Sequence, residues 1–219
     1  MSSPLSQPEP WNAVATGYST YAVPMFTRFA EHAVTLMELA PEQRVLDVAC
    51  GAGAVTAVLA KRGHTVAASD FSPNMLTCCR QRLRAEGVTA SVQLMNGQDL
   101  EFSPESFDAA ISMFGWMFFP DRAQGLAELY RVLKPGACLA VSSWAPVADS
   151  PLMALIFGAL RAVVPDLPAP EKPVRSLEDS AVLLSELFAA GFDDVQLLVV
   201  VARRGEGNPV AVRRPTRPL

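Results

Sequence analysis

The 219 residues carry 18 Lys and Arg against 22 Asp and Glu, a formal net charge of −4, and half of them are hydrophobic. That composition suits a single folded domain with a sizeable core and excludes a disordered chain. The acidic balance, with a pI near 5.2, offers no long-range attraction to a phosphate backbone and argues against a nucleic-acid partner.

Met1 to Pro10 is rich in Ser and Pro and reads as a disordered start, without the basic flank and apolar run of a secretory signal. Trp11 to Leu39 reads as one or two helices, with Pro24 restarting a helix rather than sitting inside one. Strands and helices then alternate: strand 44–49, helix 55–62, strand 65–69, a helix opened by Ser72 and Pro73, and strands over 90–95 and 107–113. A helix over 121–133 with Asp121 as its cap, a Lys134-Pro135-Gly136 turn and a strand over 137–143 follow. Such alternation builds βαβ units and a mostly parallel, doubly wound α/β sheet.

Beyond Trp144 the pattern weakens. Residues 145–178 read as a proline-rich insertion containing one helical stretch over 152–164, too short to span a bilayer. A helix from about Leu177 ends before Gly191, a sixth strand covers 194–202, and 203–219 reads as an irregular Arg/Pro-rich tail. The expected organisation is therefore a domain over 11–202, with 11–40 as a helical lid and a C-terminal strand hairpin left incomplete. Four cysteines, Cys50, Cys78, Cys79 and Cys138, contain no C-x-x-C pair. Their spacing gives no metal site and fits a reducing, cytoplasmic setting.

The strongest local signal is Asp47-Val48-Ala49-Cys50-Gly51-Ala52-Gly53, where the first strand turns into a helix. Glycines there let the backbone turn tightly and let a ligand approach. Asp70, at the end of the second strand, supplies the acid that accepts two hydrogen bonds from a ribose diol, so the pair points to a nucleoside site. An NAD fingerprint would need a third glycine where Thr56 stands. That weakens an NAD-dependent oxidoreductase.

Asp47 to Gly53 resembles motif I of the class I S-adenosyl-L-methionine (SAM)-dependent methyltransferases. The likeness continues through Ala68 to Leu76, Met95 to Gln98, Ser106 to Ala110 and Glu128 to Gly136. It is nearest to the type 11 and ubiquinone/menaquinone-biosynthesis branch. The resemblance implies a Rossmann-like fold and SAM as cofactor, with S-adenosyl-L-homocysteine (SAH) as product and methyl transfer to an O, N or C atom of a small molecule. It implies that Asp47 and the Ala49, Cys50, Gly51 and Gly53 backbone flank the methionine part, and that Asp70 holds the ribose. Phe71 and Met75 would lie against the adenine, Asn96 would accept from its amine, and Gly97 and Gln98 would offer backbone contacts, with Met113 at the far edge.

Large side chains after the fourth strand could wall an acceptor pocket around the cationic methyl group. Phe114 and Trp116 are the candidates there, and Tyr18 and Tyr21 on the lid could orient an acceptor or close the site. Phe118 and Phe119 read as core at least as well. No general base stands out, since His32 and His64 sit at surface or helix-end positions. The alternative is a SAM-binding protein without methyl transfer. The partner is a small-molecule acceptor, with no membrane span, and a homodimer is compatible with the sequence.

Overall fold

A computed structural model describes residues 3–146, 155, 158–159, 162, 177–198 and 212–213. Its centre is a sheet in the order β3-β2-β1-β4-β5-β7-β6. The strands are β1 (Arg44–Val48), β2 (Thr65–Asp70), β3 (Ser91–Leu94), β4 (Phe107–Met113), β5 (Leu133–Ser142), β6 (Asp193–Val195) and β7 (Val212–Arg213). The first five pair in parallel, and β7 lies antiparallel between β5 and β6. The chain winds outward from β1 to β3 and then crosses to β4 on the other side. That reversal opens a crevice beyond the carboxyl ends of β1 and β4, where open α/β sheets place their ligands.

The helices are α1 (Pro8–Gly17), α2 (Val23–Leu36), α3 (Ala54–Lys61), α4 (Pro73–Ala85), α5 (Arg122–Val132) and α6 (Ser180–Ala189). Both faces of the sheet are covered because β1 alternates. Leu46 and Val48 join Phe107, Leu126, Leu129 and Leu187 on one side, and Val45 joins Ala30, Ala33, Val55 and Leu59 on the other. Three caps fix helix starts, the first two of them as the sequence implies. Ser72 Oγ accepts from Met75 N (3.2 Å), Asp121 Oδ1 from Gln124 N (2.9 Å) and Asp179 Oδ1 from Ala181 N (2.9 Å).

Three differences from the sequence reading have physical causes. Residues 3–10, within the segment expected to be disordered, hold a 3₁₀ turn (Pro4–Ser6) and the start of α1, where Trp11 Nε1 donates to Leu5 O (2.8 Å) and Ser6 Oγ donates to Phe118 O (2.8 Å). α1 and α2 are joined by a π-helical turn, Tyr18–Ala22, in which Val23 N donates to Tyr18 O. Pro24 sits in the first turn of α2, as expected. Strand β5 takes in Leu133 to Gly136 through a register shift between Phe107 and Ala109, so the expected turn is a bulge with Gly136 at φ 78°. The C-terminal hairpin exists through the two residues of β7. Most of the 145–178 insertion, the end of the expected sixth strand and all of the tail except Val212 and Arg213 lie outside the described residues.

Candidate functional site

A cleft of about 320 Å³ opens over the carboxyl ends of β1, β2 and β4, with Gly51, Asp70, Met75 and Phe114 in its wall. A smaller hollow of about 40 Å³ shares Tyr18, Ala49, Gly51, Met113 and Phe114 with it and adds Asp47 and Cys50. Asp70 ends β2 and is 6% exposed. Its Oδ2 accepts from Gly51 N (2.8 Å) and its Oδ1 from Ser72 N (2.9 Å). Each carboxylate oxygen keeps a further lone pair for a ligand hydroxyl. Burial pushes the carboxyl up from its ordinary value, and the backbone N–H groups of Ser72 and Gly51 oppose that.

Asp47 is fully enclosed at the end of β1 and takes a 2.6 Å hydrogen bond from Thr56 Oγ1 at its Oδ2. Burial raises it to about 7, the Thr56 bond works against the rise and the charge of Asp70 adds to it. The residue that interrupts an NAD fingerprint thus serves here as the partner of the first acid. Tyr18 lines both the cleft and the hollow, and its hydroxyl is pushed up to about 12 by burial and then by Asp70. Two residues other than glycine, Ala49 and Phe114, hold left-handed φ values of 56° and 57° at the ends of β1 and β4, a backbone strain that clusters at ligand sites.

The glycine loop divides into two roles. A Cβ built on Gly51 meets no atom within 4 Å, so it would project into free space beside Asp70, whereas one on Gly53 would lie 2.6 Å from Cys79 Sγ. Gly51 is therefore the position that leaves room for a ligand, and Gly53 is required by the packing of α3 on α4. Gly97 resembles Gly53, since its Cβ would fall 2.3 Å from the Phe119 ring. Gln98 N donates to Asn96 Oδ1 (3.0 Å), and Gln98 Oε1 accepts from Asp121 N (2.6 Å). The polar groups of Gln98 are thus partly committed within the protein.

Phe71, Met75, Asn96, Gly97, Gln98, Met113 and Phe114 all line the cleft. Trp116 does not. It is fully buried, with Nε1 donating to Arg122 O (3.1 Å), because the 3₁₀ turn Trp116–Phe118 swings it under α5. Tyr21, within the π turn, faces solvent at 84% exposure. The lining residues that sequence reasoning missed are Ser6, Gln7, Pro8 and Trp11 from the N-terminal segment, Met95, and Gly115 and Pro120 after β4, while Phe118 and Phe119, which read as core at least as well, also line the cleft. Only Trp11 carried a local signal, an aromatic ring at a helix start. From Phe114 a cluster of rings leads away from the cleft: Phe114 stacks on Trp144 at 4.5 Å and meets Phe26 at 5.2 Å and Phe29 at 5.7 Å.

Residues 46–141 match the type 11 methyltransferase domain family. A demethylmenaquinone methyltransferase of Corynebacterium kroppenstedtii is 34% identical over 190 residues, covering 81% of this chain and 78% of that protein. The chain belongs to the SAM-dependent methyltransferase family. An uncharacterized protein of Mycobacterium tuberculosis is 41% identical to this family member over 106 residues, 48% of the chain, and the match covers only 39% of that protein's length. A SAM-dependent methyltransferase of Methanosarcina mazei shares the fold, with a TM-score of 0.64 at 20% identity over 84% of this methyltransferase-family chain and 98% of that one.

The cofactor of the family is SAM, and the cleft fits it on three counts. Asp70 has spare acceptor capacity, Gly51 leaves the volume that a Cβ would fill, and Phe71 and Met75 bound an apolar slot beside them. Among the described residues there is no group of three His, Cys, Asp or Glu able to hold a metal ion, and no helix is long and apolar enough to cross a membrane.

Proposed function

We propose that the chain transfers a methyl group from SAM to a small, flat, largely apolar acceptor that enters beside Phe114. The observation that carries this reading is the continuity of the two regions. The cleft that holds Asp70 and Gly51 runs without interruption to Phe114, whose ring is part of the Phe26, Phe29 and Trp144 cluster. The name of the Corynebacterium relative, a demethylmenaquinone methyltransferase, supports a quinone-like ring as the acceptor. In this assignment Asp70 holds the ribose hydroxyls, Phe71 and Met75 flank the adenine, Asn96 accepts from its amine, and Asp47 and the Ala49–Gly51 backbone border the methionine part.

Bound SAM would supply a methyl group on a sulfonium, activated toward a nucleophile with a neutral thioether as leaving group. The protein's share is positioning and exclusion of water. The N-terminal segment brings Ser6, Pro8, Trp11 and Tyr18 to the wall of the cleft. Tyr18 stays protonated at neutral pH, because its hydroxyl titrates near 12, so it acts as a hydrogen-bond donor and not as a base. Asp70 is committed to two backbone N–H groups. An acceptor that arrives as, or readily becomes, its own nucleophile, as a phenolate or an electron-rich ring carbon does, fits a cleft whose lining acid is taken up by the backbone and the ribose.

Isothermal titration with SAH, with NAD in parallel, tests the cofactor half, and SAH release from SAM with reduced naphthoquinones tests the acceptor half. Binding of SAH and not of NAD, weakened by about 1–3 kcal/mol in Asp70→Ala, is the expected result. Failure of SAH to bind, or turnover only with a hydrophilic amine acceptor, would sink the reading.

A further inference from the structure

The π turn between α1 and α2 leaves a specific backbone group without a helical partner. Val23 N donates to Tyr18 O, so it is not shared in the ordinary way with Ser19 O. The next donor in the same register would be residue 24, a proline with no N–H. Ser19 is half-buried, and its carbonyl is therefore open to a donor from outside the helix, since backbone carbonyls turned from water are normally paired. That donor is Arg82 of α4, whose Nη2 lies 3.1 Å from Ser19 O and 3.4 Å from Ser19 Oγ.

The same guanidinium reaches the glycine loop. Arg82 Nε donates to Ala52 O at 3.0 Å, between Gly51 and Gly53. Its third nitrogen, Nη1, pairs with Glu86 Oε1 at 3.2 Å, and Glu86 Oε2 is held by Lys61 Nζ of α3 at 2.9 Å. One planar fork thus spans lid, loop and two helices. Lysine could not reproduce this, because an ammonium on a flexible stem has no fixed fork.

We infer that Arg82 is a positioning residue of the cofactor cleft, which couples closure of the lid's π turn to the shape of the glycine loop. The inference deepens the proposed SAM site and rests on it only for the ligand. Arg82 touches neither the cleft nor any reacting atom. It acts through Ala52 O and Ser19 O, so that ordering of the loop by a ligand is felt at residues 18–22, and loosening of the turn is felt at residues 50–53.

Amide hydrogen exchange on the full chain, with and without SAH, tests this in wild type, Arg82→Lys and Arg82→Met. In wild type SAH should slow exchange in both the 49–57 and the 15–27 segments. In Arg82→Met the 15–27 segment should exchange at least about tenfold faster without ligand, as loss of a charge-assisted bond implies, and SAH should slow only the loop. SAH affinity should fall by about tenfold in Arg82→Met and by nearly as much in Arg82→Lys. Unchanged exchange in β4 and β5 marks a folded variant, and Arg82→Lys serves if Arg82→Met loses it. Placing Pro24→Ala behind Arg82→Met returns a backbone donor to the turn and should recover much of its protection.

Wild-type exchange at residues 15–27 in Arg82→Met would overturn the inference, as would a Pro24→Ala background in which the effect is undiminished. Should SAH fail to bind wild type, the SAM reading falls, and the ligand-free exchange still decides the role of Arg82.

Discussion

On the β1–β2 side of the cleft the functional groups are bonded within one stretch of chain, residues 47–72. Gly51 N and Ser72 N both meet Asp70, and Thr56 meets Asp47. On the β4–β5 side the wall is gathered from far apart: Ser6 reaches Phe118 O, and Phe26 on α2 meets Phe114 and Trp144. The first side is a βα unit whose loop, cap and acid must appear in one order to work at all. The second is an accident of which side chains the lid and the strand ends bring together. The difference teaches where specificity has freedom to change: cofactor geometry is fixed by local backbone, and the acceptor surface is set by distant pairs.

The largest expected effect breaks the glycine loop into its two roles. Gly53→Ala places a methyl group 2.6 Å from the buried Cys79 Sγ at φ 83°. Left-handed strain and overpacking together should cost about 2–5 kcal/mol of stability, read as a shift in the urea midpoint. Gly51→Ala adds a methyl with no neighbour within 4 Å, so it should cost only about 1–2 kcal/mol of strain while removing most SAH affinity. Gly53→Ala combined with Cys79→Ala should recover the overpacking part. Equal stability losses at the two glycines would remove the distinction.

How much of this was legible in the sequence follows the same division. The alternation of strands and helices, the Ser72 and Asp121 caps, and the position of Gly51 and Asp70 at the ends of the first two strands could be read because each depends on its own segment. Trp116 could not: its ring is steered by a 3₁₀ turn and by Arg122 O, neither of which has a periodic signature. The role of Gly53 was invisible for another reason. A glycine that makes room for a ligand and one that makes room for Cys79 look alike until the neighbour across the helix pair is known. The order of residues 3–10 likewise depends on Phe118, more than a hundred positions away.

Asp47 gives a prediction of intermediate size. Its folded value of about 7 lies above the ordinary 3.8, so the native state keeps a proton that the unfolded chain releases. Below pH 4 both states are protonated and nothing is lost. From pH 4 to 7 the cost of ionising the enclosed carboxyl grows, and above pH 7 it is constant. Asp47→Asn, which retains an acceptor for Thr56, should therefore gain stability relative to wild type as pH rises through that window, by about 2–4 kcal/mol at pH 8. Urea midpoints of both proteins at pH 4, 6 and 8 check this. A difference independent of pH would show that Asp47 is ionised in the native state throughout.

The smallest effect sits where the two sides of the cleft touch. Ala49 ends β1 with a left-handed backbone, and a Cβ on Gly115, after β4, would fall 2.3 Å from the Ala49 methyl. Only one of these positions has room for a methyl group. Gly115 itself has an ordinary φ of −100°, so Gly115→Ala should be destabilising through the collision alone, by about 1–3 kcal/mol. Ala49→Gly should relieve about 1–2 kcal/mol of strain and give back most of it through a half-buried methyl and a freer unfolded chain, for a net change within about 1 kcal/mol. The double variant should then be nearly as stable as wild type, a coupling of about 1–2 kcal/mol in a mutant cycle. Additive losses would mean that Ser112 Oγ or Ala49 O, at 3.3 and 3.2 Å from the same Cβ, sets the limit instead. In that case the ends of β1 and β4 are held apart by backbone and not by the methyl group of Ala49.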